Sequence, residues 1–167
     1  MVLRAKRLWR PPAMRRRHRA MMEPSVKRRR RERMAAQIPP QVKTFLDKPL
    51  FAVLATQSPS GRVQATPVWY MLADGHILIN TSAGRTKLRN MEANRGVALA
   101  ILDRENPYKY VQIQGKVVKF DRESGAKDID RLSQRYHGRP YQYPPTDNPK
   151  NRITIRIEPE RINTMGF

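Results

Sequence analysis

The sequence contains no cysteine and only three histidines, His18, His76 and His137, which lie far apart along its 167 residues. Disulfides, cysteine nucleophiles and thiolate-bound metals are therefore excluded, and no metal site is expected. No apolar run approaches the roughly 18 residues that a membrane-spanning helix needs, and the N-terminus lacks the apolar core of a secretory signal. The composition predicts a soluble, cytoplasmic protein without a membrane partner.

Acidic residues are also scarce, since 14 Asp and Glu stand against 34 Lys and Arg, for a formal net charge of +20. Residues 1–34 carry a net +12 and residues 35–167 a net +8. The apolar residues of 1–34 keep no clear period, so we expect a basic N-terminal extension that is disordered in isolation. Three interpretations of it stay open: an upstream over-extension of the reading frame, a solvated tail, or an arm that binds nucleic acid or an anionic surface.

Residues 35–167 have the pattern of one folded domain that begins near Pro39-Pro40. Apolar periodicity and turn signals predict six strands and three helices in it. The strands are expected over residues 50–56, 62–72, 77–79, 97–102, 108–120 and 153–157, and the helices over 42–46, 84–94 and 121–137. Consecutive strands joined by hairpin turns predict a mainly β, α+β domain with an antiparallel sheet, and six strands are enough to close a small barrel.

Two strands carry irregularities. Pro67 lies inside strand 62–72 and has no N–H for a ladder, which indicates an edge, a bulge or a split between strands. A planar ligand could lie against exposed backbone there, but taken alone the pattern favours a core tryptophan, Trp69, beside a strand irregularity. In strand 108–120 the apolar phase changes after Gly115, which is typical of a β-bulge.

Two further local predictions concern the C-terminal third. Asp121 has the side chain of an N-cap and is expected to start the helix that follows it. In the last strand, the polar residues from Arg152 to Arg156 alternate with isoleucines, so one face of this strand is expected to lie in water.

The most informative stretch is NTSAGRTKLRN, from Asn80 to Asn90. It combines a strand end, a hydroxyl-rich turn and a helix start, where backbone N–H groups are unpaired and the helix dipole is positive. Arg85 and Lys87 fall in the first turn, where each cation opposes the dipole by roughly 0.3–1 kcal/mol. A bound phosphate or carboxylate would remove that conflict, which predicts an anion site. A solvated basic helix is the alternative.

Residues 49–166 resemble the split β-barrel flavin and deazaflavin oxidoreductases of the pyridoxamine 5'-phosphate oxidase-like superfamily, and most closely the class that depends on the deazaflavin coenzyme F420. Residues 1–34 match nothing typical of that family. The resemblance rests on Phe51–Thr56, Gln64–Trp69, Ile79–Asn90, Val97–Leu102, Asn106–Val111, Ile129–Ser133 and Tyr136, in this order.

The resemblance implies a six-stranded antiparallel split barrel of the FMN-binding type with short flanking helices. It also implies a homodimer with a cofactor in each of two clefts between the subunits. The turn before residue 87 would contact the cofactor's phosphate, and the stretch 66–69 would line its ring. The implied cofactor-binding residues are Thr66, Pro67, Val68, Trp69, Asn80, Thr81, Ser82, Arg85, Thr86 and Lys87.

Coenzyme F420 is favoured over FMN, because F420 carries a phosphodiester and a polyglutamate tail that suit a basic domain. The implied function is hydride transfer between F420, or FMN as the alternative, and a small electron-poor organic acceptor. The cofactor carries the reactivity, so no catalytic side chain is assigned. Tyr108, Tyr110, Tyr141 and Tyr143 are candidates for a proton donor by their chemistry alone.

Two other functions stay open. A protein that binds a flavin, a deazaflavin or a haem-like ligand without turnover would have the same fold. A nucleic-acid-binding protein would act through the basic extension, and this is the less expected reading. Oxidation of vitamin B6 is not expected, because the substrate motifs specific to pyridoxamine phosphate are not recognisable.

Overall fold

The computed structural model describes residues 35–167, so the predictions for residues 1–34 lie outside the described residues. The helices of this part are α1 Pro40–Leu46, α2 Thr86–Ala93 and α3 Gly125–His137, and a short 3-10 turn covers Pro149–Asn151. Its strands are β1 Ala52–Gln57, β2 Val63–Val68, β3 Tyr70–Ala73, β4 His76–Ser82, β5 Gly96–Leu102, β6 Tyr110–Asp121 and β7 Arg152–Met165.

All of these strands join one antiparallel sheet in the order β2-β1-β5-β6-β7-β4-β3. The antiparallel, mainly β architecture is confirmed, but the predicted number of six strands is wrong, because strand 62–72 breaks at Trp69. The residues before the break pair with β1, where Pro67 faces Val53, and those after it pair with β4, where Tyr70 faces Ile79. Pro67 therefore lies on an edge strand beside a split, two of the alternatives that its missing N–H indicated.

The main core covers one face of the sheet. Alternate residues of the strands point inwards, such as Leu54, Leu99, Ile113 and Ile155, and the apolar face of α1 closes over them. A second, smaller apolar cluster lies on the other side of β3 and β4, where α3 packs its isoleucine and leucine against the sheet. The two clusters place α3 beside the end of β4, which is also where α2 begins.

The face of β7 that we expected in water is covered, so this prediction is wrong. Arg152 is 6% exposed and Thr154 is 3% exposed, because α3 packs over that face. The Thr154 hydroxyl donates to Asp128 Oδ2 of α3 at 2.9 Å. At Gly125, a Cβ would overlap the backbone carbonyl of Arg152, so the start of α3 can approach β7 this closely only with glycine.

Asp121 does not cap α3, contrary to the prediction. The N-cap is Ser124, and the Asp121 carboxylate instead accepts hydrogen bonds from the backbone N–H groups of Glu123 and Ser124, both at 3.1 Å. The predicted bulge is confirmed, since the pairing of β6 with β7 shifts register between Gln114 and Gly115 and again before Lys119. No helix within residues 35–167 is long and apolar enough to cross a membrane.

Candidate functional site

A cavity of about 270 Å³ opens where β2 breaks, β4 ends and α2 begins, and α3 forms its opposite wall. Eight of the ten predicted cofactor-binding residues line it: Pro67, Val68, Trp69, Asn80, Thr81, Ser82, Arg85 and Lys87. Five lining residues were not in the predicted set: Phe51, Ile129, Leu132, Tyr141 and Arg152.

The two remaining predicted residues do not line the cavity. Thr66 lies on β2, and its hydroxyl is buried without a hydrogen-bond partner within the described part of the chain. Thr86 is the first residue of α2, and its hydroxyl accepts a hydrogen bond from Arg89 Nη2 at 3.2 Å. The Thr86 side chain therefore contacts Arg89 of the same helix rather than the cavity.

The two predicted cations, Arg85 and Lys87, lie at the N-terminus of α2. Arg85 is the N-cap, with extended backbone, rather than a member of the first turn, and Lys87 is the second helical residue. The first turn contains no acidic residue. Burial, and then the charge of Arg85, hold the pKa of Lys87 below its usual range. An anion in the cavity would oppose both effects, because an opposite charge nearby favours the charged form of Lys87.

The turn before α2 is stabilised by a hydrogen bond from Arg89 of the same helix. Gly84 has a φ of 80°, in the region that favours glycine, and its carbonyl accepts a hydrogen bond from Arg89 Nη1 at 2.9 Å. The third cation of the helix is thus engaged with the turn and does not line the cavity. This arrangement keeps Arg85 and Lys87 in place as the two basic side chains at this end.

Aromatic rings form the other end of the cavity. Trp69 stacks on Tyr136 of α3 with ring centroids 5.3 Å apart and planes 14° apart, and the edge of Tyr141 approaches it at 6.3 Å. The Tyr136 hydroxyl donates to the Leu50 carbonyl at 2.6 Å and accepts from the Tyr70 N–H at 3.2 Å. Tyr136 therefore holds the strand break that presents Trp69. The resemblance had included Tyr136 without giving it a role.

A buried polar cluster underlies the centre of the cavity. Arg152 Nη1 donates to Asp147 Oδ2 at 2.9 Å and to Ser82 Oγ at 3.2 Å, and Ser82 Oγ donates to Asp147 Oδ1 at 2.6 Å. The Arg152 guanidinium lies 4.7 Å from the centre of the Tyr141 ring. Its Nε and the Oδ1 of Asn80 are buried with no hydrogen-bond partner among the described residues.

Sequence reasoning missed Arg152, because an arginine that alternates with isoleucines has the pattern of a solvated strand face. The missing information was the register of β4 and β7, which pairs Ser82 with Arg152. The polar ends of two strands distant in sequence thus meet beside α2.

The four tyrosines considered as proton donors differ in their position relative to the cavity. Tyr108 is 72% exposed, and neither it nor Tyr110 lines the cavity. Tyr141 lines the cavity, and Tyr143 packs edge-on against it with centroids 5.0 Å apart. Burial, and then the charge of Asp130, raise the pKa of Tyr143. Tyr141 alone of the four has access to a ligand in this cavity.

An exposed apolar surface borders the cavity on the solvent-facing side of β1 and β2. Val63 is 69% exposed and Phe51 50% exposed, and Val53 and Pro67 lie between them as register partners. Phe51 and Pro67 also line the cavity. The cavity rim and the exposed apolar surface are therefore continuous.

Residues 38–166 match the family model described as pyridoxamine 5'-phosphate oxidase. Among solved structures, an F420 reductase is 28% identical, with a TM-score of 0.68 over 75% of this chain and 98% of that one. The conserved hypothetical protein Rv2991 of Mycobacterium tuberculosis is 22% identical, with a TM-score of 0.61 over 78% and 86%. HutZ, the haem storage protein of Vibrio cholerae, is 19% identical, with a TM-score of 0.58 over 79% and 97%. The last two likenesses show the fold alone, and no curated protein matches the chain.

Proposed function

We propose that this chain, which belongs to the pyridoxamine 5'-phosphate oxidase family, is an oxidoreductase that transfers hydride between coenzyme F420 and a small electron-poor organic acceptor. One observation carries the proposal: a single cavity combines two cations at a helix start with an aromatic wall at a strand break. The similarity to an F420 reductase favours the deazaflavin, and FMN is the second candidate.

The basic end of the cavity suits a phosphate. Arg85 and Lys87 lie at the start of α2, where the helix dipole is already positive, and no Asp or Glu is among the residues that line the cavity. Burial and Arg85 lower the pKa of Lys87, and a bound anion would offset this penalty on its charged form. F420 offers a phosphodiester and several carboxylates, and FMN offers one phosphate, so F420 satisfies more of this positive charge.

The aromatic end suits a planar ring. Pro67 and Val68 are the last two residues of β2, Trp69 lies in the break that follows, and its ring is fixed by its stack on Tyr136. A flat ring that lies here would contact apolar side chains and the backbone of an edge strand. Flat heteroaromatic ligands also need polar partners, and the buried Oδ1 of Asn80 is unsatisfied within the described residues.

When bound, F420 supplies the hydride chemistry itself. The residues of this chain bind its charged end, orient its ring against Trp69 and exclude water with the apolar side chains of α3. If the acceptor also takes up a proton, the hydroxyl of Tyr141, which lines the cavity, would donate it. This chemistry requires no nucleophile from the protein.

We further propose that the working unit is a homodimer. The cavity, at about 270 Å³, lies just below the roughly 300–1,000 Å³ typical of ligand pockets, and a tricyclic cofactor with a tail needs more room. The exposed apolar surface around Val53 and Val63 borders the rim, so a second copy seated on it would complete the cavity wall. Light scattering is expected to give twice the monomer mass at micromolar concentration.

The test of the proposed function is turnover. The full chain is mixed with chemically reduced F420 and a panel of enones, quinones and nitroaromatics, and the return of the oxidised cofactor's absorbance is followed. The proposal expects enzyme-dependent oxidation with at least one acceptor class, and a loss of that activity in the Trp69→Ala variant. Tight binding of F420 with no oxidation by any acceptor would instead favour a non-catalytic binding protein. Activity with reduced FMN alone would assign the second cofactor.

A further inference from the structure

We propose that Arg152 is a further ligand-binding residue, which donates hydrogen bonds to an anionic group of the cofactor, a phosphate or a carboxylate, and that Asp147 positions it. The inference rests on the proposed function, because it concerns the same cavity. It goes beyond the family resemblance, which assigned no role to Arg152 or to Asp147.

The first argument is the number of donors that Arg152 keeps free. A guanidinium has five N–H donors. Only Nη1 is engaged by Asp147 and Ser82, and Nε is buried with no partner in residues 35–167. Nε is enclosed by protein, but the two N–H groups of Nη2 make no hydrogen bond within residues 35–167. A guanidinium that lines the cavity in this state is therefore suited to a ligand that accepts hydrogen bonds.

The second argument is the way in which the guanidinium is held. Nη1 of the guanidinium donates to Asp147 Oδ2 at 2.9 Å, and the centre of the Tyr141 ring lies 4.7 Å from the guanidinium carbon. Both side chains of the Arg152–Asp147 pair are buried. A buried ion pair is weak evidence for stability, because desolvation of two charges offsets their attraction. Its clearest consequence here is a guanidinium with a fixed plane, and such fixed planes suit phosphate and carboxylate groups.

The third argument is the charge of the cavity. Arg85, Lys87 and Arg152 all line it, and no carboxylate does. The Asp147 carboxylate, which does not line the cavity, neutralises the charge of Arg152 and also accepts a hydrogen bond from Ser82. The Ser82 hydroxyl is thus used as a donor to Asp147, so Ser82 can offer only its lone pairs to a ligand. Arg152, rather than Ser82, is the donor at this position of the cavity wall.

The test uses a double variant, Arg152→Gln with Asp147→Asn, which removes both charges together and leaves no unpaired buried ion. The probes are F420, FMN and riboflavin, the last of which has the ring of FMN without its phosphate. Dissociation constants are measured by cofactor fluorescence at fixed salt. The matched control is Arg156→Gln, four residues further along β7, where the guanidinium is half-buried and does not line the cavity.

The proposal expects the double variant to bind FMN and F420 about tenfold to a hundredfold more weakly, and riboflavin within about threefold of the wild type. A loss for F420 alone assigns Arg152 to the carboxylates of the tail rather than to the phosphate. Unchanged affinity for both charged cofactors, or an equal loss for riboflavin, overturns the inference. In either case the proposed function stands if the wild type still binds and turns over F420. A wild type that binds neither charged cofactor removes both proposals.

Discussion

Neutralising the two cations at the start of α2 is expected to separate stability from binding. The variant is Arg85→Gln with Lys87→Gln, which removes both charges and keeps a polar side chain at each position. Each cation opposes the helix dipole by roughly 0.3–1 kcal/mol, and Lys87 is also penalised by burial and by Arg85. The variant without cofactor is therefore expected to be as stable as the wild type, or more stable by up to about 2 kcal/mol. Chemical denaturation measures this difference.

The same variant is expected to bind cofactor poorly. Each charge-assisted hydrogen bond to phosphate contributes roughly 1.5–3 kcal/mol, which is about a tenfold to hundredfold change in the dissociation constant. The matched control is Arg62→Gln with Lys116→Gln, which changes the net charge equally at exposed positions outside the cavity. If the variant binds F420 and FMN as tightly as this control does, Arg85 and Lys87 do not hold a phosphate and the reasoning is refuted.

The pH dependence of stability gives a second view of Lys87. Its pKa in the folded protein lies below the ordinary 10.5, so the penalty for folding is present while Lys87 is protonated in both states. As pH rises through the folded pKa towards 10.5, the unfolded chain binds more protons than the native one, and stability rises. The variant that lacks Lys87 is expected to lose this rise, which denaturation at alkaline pH measures.

Three further perturbations test other parts of the structure. Tyr136→Phe keeps the stack on Trp69 but removes a hydroxyl that hydrogen-bonds two backbone groups. The free energy of unfolding should therefore fall by about 1–3 kcal/mol. An unchanged denaturation curve would show that these hydrogen bonds do not stabilise the strand break. The Lys119 ammonium, followed by the backbone N–H of Ser124, lowers the pKa of Asp121 from 3.8 to about 2. Its stabilising contribution should therefore persist above pH 4 and disappear as pH falls towards 2, so that Asp121→Asn and the wild type converge in acid. Val53→Lys should reduce the mass in light scattering from dimer to monomer, and an unchanged dimer would place the interface elsewhere.

Outside strand 62–72, the sequence was sufficient for the order of the helices and strands, because local signals and tertiary structure agree there. Pro67 signalled an irregularity through its missing N–H, and Gly115 signalled a bulge through the change in apolar phase. The two halves of strand 62–72 join opposite ends of the strand order, and no local pattern reveals which partner each half takes. One continuous strand was therefore predicted where the sheet has two.

The candidate site was predictable at its charged turn and at its aromatic end, and unpredictable at its centre. Arg85 and Lys87 conflict with the helix dipole, and that conflict is visible in the sequence. Arg152 has no such local conflict, since its burial depends on α3 packing over β7 and its partners depend on the register with Ser82. Long-range packing decides such residues, so a pattern of period two cannot distinguish a solvated arginine from a buried one.

The most direct test of the central claim is a crystal structure of the full chain with oxidised F420. The account predicts the deazaflavin ring against Pro67 and Trp69, and the phosphodiester within hydrogen-bond distance of Arg85 and Lys87. A cofactor bound with its ring away from the strand break, or with its phosphate out of reach of both cations, would contradict the account.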